Sequence, residues 1–434
     1  MRPVSAWGRL SADLHHVEPL TNPWSLQETL RNRKRWGLPH GMGRSYGDVC
    51  LNPGGSLWLT TSLDRFQSFD EKTGRLRVEA GVLLRDIQKA FIPRGWILPV
   101  TPGTQMATVG GAIANDVHGK NHHLQGSFGD HVSKIQLART DGDTQTLSLD
   151  ENPECFRATL GGLGLTGLIT AAEIQLKPVS GPWLESETLP FHGLESFFSF
   201  ADASEADWEH TVAWIDCLSG INTRGLFMRA KPARAGDKGK LHKKRSRKIP
   251  VVPPVSLVNA LTLRPFNEAY FRLGQVNQGS KIVDYIPFFY PLDNLLEWNR
   301  MYGPKGFYQY QSVVPREVGL DATKAMLQAI TQSGEGSFLA VLKTFGEREA
   351  PGLLSFPRPG VTLALDFPNR GDRTHRLFER LDSIVREARG TLYPAKDARM
   401  PRDLFEAGYP HVETFSKHRD PGISSAFSRR VMDF

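Results

Sequence analysis

The sequence predicts an α+β protein, with a first region of short strands and helices and a second in which an antiparallel sheet is covered by helices. Three observations carry this. A run at 101–131, TPGTQMATVGGAIANDVHGKNHHLQGSFGDH, interrupts short β-like runs and holds too much glycine to be helix or strand throughout. After it, KIQLARTDGDTQTLSL is a hairpin signal, with Asp141-Gly142 turning between two alternating runs. Beyond about residue 180, strands alternate with longer helical patterns, which suggests one antiparallel sheet with helices packed on it.

Taken in order, SLQETLRNRKRW carries a helical pattern, with Pro23 near its start. LPHGMGRSYGD follows at 38–48, where Gly41, Gly43 and Gly47 bracket Arg44, Ser45 and Tyr46. That suits a tight turn after a strand, whose amides and serine hydroxyl can hold a pyrophosphate. The third glycine of a Rossmann fingerprint is absent and no long helix pattern follows, so a nicotinamide-type site is not expected. SLWLTTSL and RLRVEAGVLL read as strands, and LLRDIQKAFIPRG as an amphipathic helix stopped at Pro93 and Gly95. The 101–131 run then either wraps a large anionic cofactor or is a long surface loop. Its apolar spacers, Val109, Ala112, Ile113, Ala114 and Val117, favour the first, since a solvated loop does not need them. LGGLGLTGLITAAEIQLKPV ends this region with an alternating strand. Further on, TVAWIDCL, GLFMRAKP, FYQYQSVVP, SFLAVLKTFG and GVTLALDFP read as strands, with helices at 318–332 and 372–389; the tail after 390 reads as loop-rich.

At 434 residues, with 40% hydrophobic and 23% charged residues, the chain fits a soluble globular protein of two or three domains. No apolar run is long enough to cross a membrane and the N-terminus has no Sec-type apolar core. Cys50, Cys155 and Cys217 are unclustered, which points to a reducing cytoplasm and away from disulfides, zinc or iron–sulfur; no metal site is expected. The formal charge of +7 is local: Arg229–Lys248 holds ten Lys or Arg against one Asp, so the remainder is slightly acidic and no nucleic-acid partner is expected. This basic loop, 229–250, is either a solvated segment or, with the apolar IPVVPPVSLVNALTLRPF beside it, a contact at 229–266 for an anionic membrane surface or a lipid phosphate.

HGMGRSYGD, the 101–131 run, GGLGLTGLI and YPAKDAR stand in one order, and together they resemble the flavin oxidases of the vanillyl-alcohol oxidase class. The likeness runs almost end to end, through WIDCL, NRMYGPKGFYQYQ, LLSFPRPG and LDFP, and is greatest to the branch acting on polyprenylphosphoryl ribose. It implies a PCMH-type FAD-binding domain of two α+β subdomains at 1–180, an inserted substrate domain at 181–390 and a C-terminal return at 391–434. The pyrophosphate turn would be Gly41, Met42, Gly43, Arg44, Ser45 and Tyr46. The second cradle would be Gly103, Thr104, Thr108, Val109, Gly110, Gly111, His118, Gly119, Lys120, Asn121 and His122, with Leu168 or Ile169 and Tyr393 against the flavin. Relatives that tether FAD do so through a histidine in the first turn; Arg44-Ser45-Tyr46 stands there, so FAD is expected to be non-covalent.

On the substrate side the resemblance implies Lys120, Gln309, Gln311, Lys343 and Lys396. Two positions depart from a mycobacterial member of the family: Ala364 replaces a cysteine and Phe289 a tyrosine. The implied reaction converts the 2′-hydroxyl of a polyprenylphosphoryl-β-D-ribose to a ketone, which a separate NAD(P)H-dependent keto-reductase would complete as an epimerisation towards arabinan precursors. A free sugar, alditol or aldonolactone is the alternative substrate, and a non-enzymatic anion- or membrane-binding protein the alternative class. Lys396 is the expected catalytic side chain, orienting substrate and stabilising negative charge, unless a salt bridge to Asp397 or another acid occupies it. His118 is either a proton shuttle, a group that orients the flavin, or a structural histidine satisfied within the protein. Lys343, a charge in an apolar strand, is expected to contact substrate unless it pairs with Asp366.

Overall fold

The structure, a computed structural model, describes residues 1–20, 26–220, 222–240 and 246–434. Pro23 and part of the basic run, 241–245, lie outside them. The first α+β unit is a sheet with spatial order Arg2–Val4, Asp13–Pro19, Ser56–Leu59, Gly37–His40; the last three strands are parallel. The second is a five-stranded antiparallel sheet, ordered Phe66–Asp70, Arg75–Glu79, Leu168–Gln175, Val132–Ala138, Thr144–Leu147. The expected hairpin closes through Gly142 at φ 93°, a region glycine enters without steric cost. The amphipathic helix Leu84–Phe91 buries Leu84, Ile87 and Phe91 against Leu76 and Val78 of this sheet. Gly95, at φ 83°, ends the short turn that follows it. The glycine-rich stretch leaves the second unit at Thr101 and forms only short helical turns, Val109–Ala114, His122–Gln125 and Phe128–His131, joined by irregular backbone.

An eight-stranded antiparallel sheet dominates the second region. Its order is Gly279–Asp284, Trp183–His192, Arg224–Pro232, His210–Ile215, Ala340–Phe345, Gly360–Pro368, Phe307–Val314, Thr391–Leu392. Strand alternation sorts its side chains. Phe227, Ala213, Leu342, Leu363 and Leu365 pack in one core with Phe197, Leu327, Ile330 and Phe378 of the helices Leu194–Ser204, Arg316–Ser333 and Asp372–Glu387. Residues of the opposite parity, including Gln309, Gln311, Lys343, Thr362, Ala364 and Asp366, line a cavity. The helix-covered antiparallel sheet is therefore as expected from the alternating patterns.

Two features differ from the sequence reading. A helix forms at Ala260–Val276 in spite of Pro265, within the stretch read only as exposed and apolar. An Asn259 cap starts it and Leu263 and Phe271 are buried, while Leu261, Leu273 and Val276 stay exposed. The tail, read as loop, contains helices Arg402–Gly408, Val412–Ser416 and Ala426–Val431; they are too short to show periodicity and are held by fully buried Phe405, Phe415 and Phe427. The tail adds Thr391–Leu392 to the edge of the large sheet, then returns to the first region, where Arg430 pairs with Asp48 and Asp420 accepts the Thr140 amide. Arg229 and Lys231 belong to a strand and pair with Glu187 and Glu185, so the basic loop begins later than read.

Candidate active site

A cavity of about 770 Å³ lies between the two α+β units and the open face of the large sheet, within the range of small-molecule and cofactor sites. Its first wall is the turn Gly41–Tyr46. Gly43 sits at φ 59°, and a Cβ on Gly41 would come 2.6 Å from Thr108 Oγ1. Thr108 Oγ1 instead accepts the Gly111 amide at 3.1 Å, so turn and glycine-rich stretch touch backbone to side chain. The turn is pinned from both sides: Trp7 N donates to Ser45 O at 2.9 Å and Tyr46 N to Ala395 O at 3.0 Å. The Arg44 guanidinium lies over the Trp7 ring at 4.2 Å.

The second wall carries the histidine and lysines. The half-buried His118 ring packs against Phe345, Phe356 and Tyr393. Lys343 Nζ stands 3.1 Å from His118 Nδ1 and donates to Gly119 O at 3.0 Å, and Gln311 Nε2 stands 3.0 Å from His118 Nε2. Burial, with Lys343 next, drives the His118 pKa well below that of a free imidazole. Lys343 itself is pulled down to about 7 by burial and by its neighbours Lys120 and Lys396. Lys120, lowered to about 7 by burial, donates to Phe288 O and lies over the Phe288 ring at 4.6 Å. Lys343 does not pair with Asp366: strand register sets it opposite Thr362, and Asp366 opposite Gln309.

At the third wall Lys396 lies over the Tyr46 ring at 3.9 Å, a cation–π arrangement. The rival salt bridge to Asp397 does not form, because Asp397 accepts the Arg399 and Met400 amides and pairs with Arg430. Burial lowers the Lys396 pKa and Asp366 opposes that shift. Asp366, fully buried, accepts from Gln309 Nε2 at 2.5 Å through Oδ1.

Of the residues proposed from the sequence, the two glycine-rich walls, Ile169, Tyr393, Phe289, Gln309, Gln311, Lys343, Ala364 and Lys396 all line this cavity. Four sit elsewhere. Val109 is in the core of the five-stranded sheet, Leu168 in the large core, Asn121 holds Pro99 O at 2.8 Å, and His122 packs on Phe345. Burial pushes His122 down to about 3 and leaves its ring nitrogens without hydrogen bonds. Missed by sequence reasoning are Asn115, Asp366 and an apolar branch made by Trp214, Met228, Phe266, Tyr270, Leu296 and Phe338. Helix Ala260–Val276 supplies two of these rings, and without that helix the branch was not visible. Lys248, from the basic loop, also reaches the cavity.

The chemistry of the walls fits a large polar cofactor. Glycines let backbone approach it closely, and Arg44 Nε, Asn115 Oδ1 and Asp366 Oδ2 are buried polar atoms without a protein hydrogen bond, which a bound ligand can satisfy. Residues 26–148 match the FAD binding domain family. The chain is 36% identical to decaprenylphosphoryl-β-D-ribose oxidase of Mycolicibacterium smegmatis, over 99% of this chain and 97% of that protein. It is 30% identical to an uncharacterised protein of Streptomyces coelicolor, over 81% of this chain and all of that protein. With a putative D-arabinono-1,4-lactone oxidase of Neurospora crassa it shares 30% identity over 34% of this chain and 26% of that protein. The cavity, the matched FAD domain and the end-to-end identity lead to one conclusion: this chain belongs to the decaprenylphosphoryl-β-D-ribose oxidase family and is an FAD-dependent oxidoreductase acting on a CH–OH group.

Proposed function

We propose that the protein oxidises the 2′-hydroxyl of a polyprenylphosphoryl-β-D-ribose to the 2′-keto sugar. The observation that carries this is the likeness over 97% of a decaprenylphosphoryl-β-D-ribose oxidase, substrate region included; the lactone oxidase likeness stops at about a third of the chain. The cavity supports it, since one opening joins a polar end with three lysines to an apolar branch beside Lys248. FAD would be held non-covalently by Gly41–Tyr46, by Gly103, Thr104, Thr108, Gly110, Gly111, His118 and Gly119, and by Ile169 and Tyr393. Bound FAD supplies the two-electron acceptor.

The chain's own groups bind and orient. Lys343 and Lys120 would attract the phosphate or a sugar hydroxyl, and Gln309 and Gln311 would fix the ring by hydrogen bonds. Lys396 would place positive charge where negative charge develops. Aromatic rings and the buried sheet face exclude water. The apolar branch would take the first prenyl units, with the basic loop and helix Ala260–Val276 resting on an anionic membrane surface. No helix among the described residues is long and apolar enough to cross a membrane, so this contact would be peripheral. A keto product needs an NAD(P)H-dependent reductase to complete an epimerisation, and that partner, with an arabinan or other surface-glycan product, belongs to the same reading. The test is anaerobic flavin reduction by a prenyl-phospho-ribose beside free ribose and alditols. Bleaching by the lipid-linked sugar alone supports the proposal; bleaching by the soluble alcohols alone overturns it.

A further inference from the structure

Oxidation of a secondary alcohol removes a proton from oxygen as well as hydride from carbon, and a protein group near the hydroxyl has to accept that proton. The imidazoles and carboxylates lining the cavity are His40, His118, Asp293, Glu297 and Asp366. His40 Nδ1 is engaged with Cys50 O at 2.9 Å and its Nε2 faces Gly43 of the first turn. His118 is engaged at both ring nitrogens, by Gln311 and by Lys343, and lies among cations that oppose its protonation. Asp293 accepts the Gln105 amide at 2.8 Å and Glu297 pairs with Arg300 at 3.3 Å. Asp366 differs from all four. It is completely buried, its Oδ1 is fixed by Gln309, and its Oδ2 has no hydrogen bond of normal length although it lines the cavity. An ionised carboxylate oxygen left like this is costly in a folded interior unless a ligand completes it.

We propose that Asp366 is the general base: Oδ2 receives the substrate hydroxyl proton while Gln309 holds Oδ1 in place. The carbinol O–H and C–H bonds break as C=O forms, the proton goes to Oδ2, and hydride leaves with its electron pair to the bound FAD. The surroundings suit a base that works near neutrality. Burial raises the Asp366 pKa, while Gln309, then Lys396, then the nearby Tyr302 hydroxyl favour its charged form. Lys396 comes from the tail, Tyr302 from the short helix Trp298–Tyr302 and Gln309 from the neighbouring strand. Tyr46 faces Asp366 from the first turn and the Cys217 thiol lies beyond Tyr302. The inference rests on the FAD-dependent oxidation of an alcohol and not on that alcohol being lipid-linked.

Asp366→Asn and Asp366→Glu holoenzymes test it, with whichever alcohol of the panel above bleaches the wild type. Wild-type bleaching by soluble alcohols alone would overturn the substrate reading and leave the base testable. The Asn variant is expected to keep its flavin spectrum and bind substrate within about threefold of wild type. It should reduce FAD about 10²-fold or more slowly, without the loss of rate at low pH that protonation of a base gives the wild type. Infrared difference spectra should show a protonated carboxyl appearing when substrate reduces the wild type, absent from the Asn variant. Reduction by that variant within about threefold of wild type at every pH, or an unchanged acid limb, overturns the assignment. Should the Asn variant lose FAD, the Glu variant decides: its acid limb shifts if residue 366 is the base and coincides with wild type if it is not.

Discussion

Burial opposes the charge on three of the lysines that line the cavity, Lys120, Lys343 and Lys396, so their roles separate by what faces them. Lys396 faces the Tyr46 ring and the Asp366 carboxylate. Lys396→Ala is expected to retain FAD, since none of the turn's backbone contacts uses the side chain, but to slow anaerobic bleaching by about 10²-fold or more, the scale of one lost charge-stabilising group. Lys343 faces His118, Lys120 and Gly119 O, with a pKa near 7 in the free protein. An anionic substrate binds its charged form, and the charged fraction falls as pH rises through about 7. Substrate Kd should therefore weaken from pH 6 to 8, and Lys343→Met should bind more weakly with that slope removed, as measured by perturbation of the flavin spectrum. Ala364 lies on the same face, between Gln311 and Val341. Thiol-directed inhibitors should not label the cavity of the natural chain, where burial pushes the Cys50 thiol up to about 12, whereas Ala364→Cys should take one label by mass spectrometry. Lys343 was legible because a charge in an apolar strand demands a partner, whereas Lys120 and Lys396 came from the resemblance. Asp366 was legible only as a rival partner for Lys343, because the register that separates the two follows from how the strands pair, which the sequence does not encode locally.

Among elements, the site depends on how the tail returns. The Gly41–Tyr46 turn and the YPAKDAR loop touch through Tyr46 N and Ala395 O, and a Cβ on Gly47 would overlap the Asp397 carbonyl. Gly47→Ala therefore has to displace either the turn or the loop carrying Lys396. It is expected to lower both FAD retention and flavin bleaching, with a melting temperature several degrees below wild type that excess FAD partly restores, because ligand binding to the native state adds stability. Flavin release separates tethered from free cofactor: acid denaturation followed by filtration should leave all of the flavin in the filtrate. The turn, the hairpin and the amphipathic helix were legible from glycine spacing and periodicity. Helix Ala260–Val276 was hidden by Pro265, tolerated because tertiary burial of Leu263 and Phe271 outweighs the lost backbone bond. The short tail helices had no pattern long enough to read.

At the scale of the whole molecule, Lys248 of the basic loop and Phe266 and Tyr270 of the helix Ala260–Val276 line the same cavity. Arg229 and Lys231 are consumed by Glu187 and Glu185 within the sheet, so removing 229–266 outright would destroy a strand and one wall of the cavity. Eight Lys or Arg follow Lys231 up to Lys248, and exposed Val251, Val255, Leu257, Leu261, Leu273 and Val276 come after them in the sequence. Apolar side chains inserted at a lipid interface and cations held to anionic headgroups reinforce each other, at about 1 kcal/mol for each basic side chain brought to the surface. Replacing Lys238, Lys240, Lys243, Lys244 and Arg245 by serine spares the Arg247–Lys248 strand and the eight-stranded sheet. Co-sedimentation with phosphatidylserine-containing vesicles should fall by orders of magnitude at low salt and converge with wild type as salt screens the charges. Bleaching by vesicle-borne substrate should slow in parallel, while a short-chain soluble analogue should reduce the flavin at the wild-type rate, because its route to the lysines does not pass the membrane. Equal vesicle binding by both proteins at low salt would assign the segment's charge to something other than lipid.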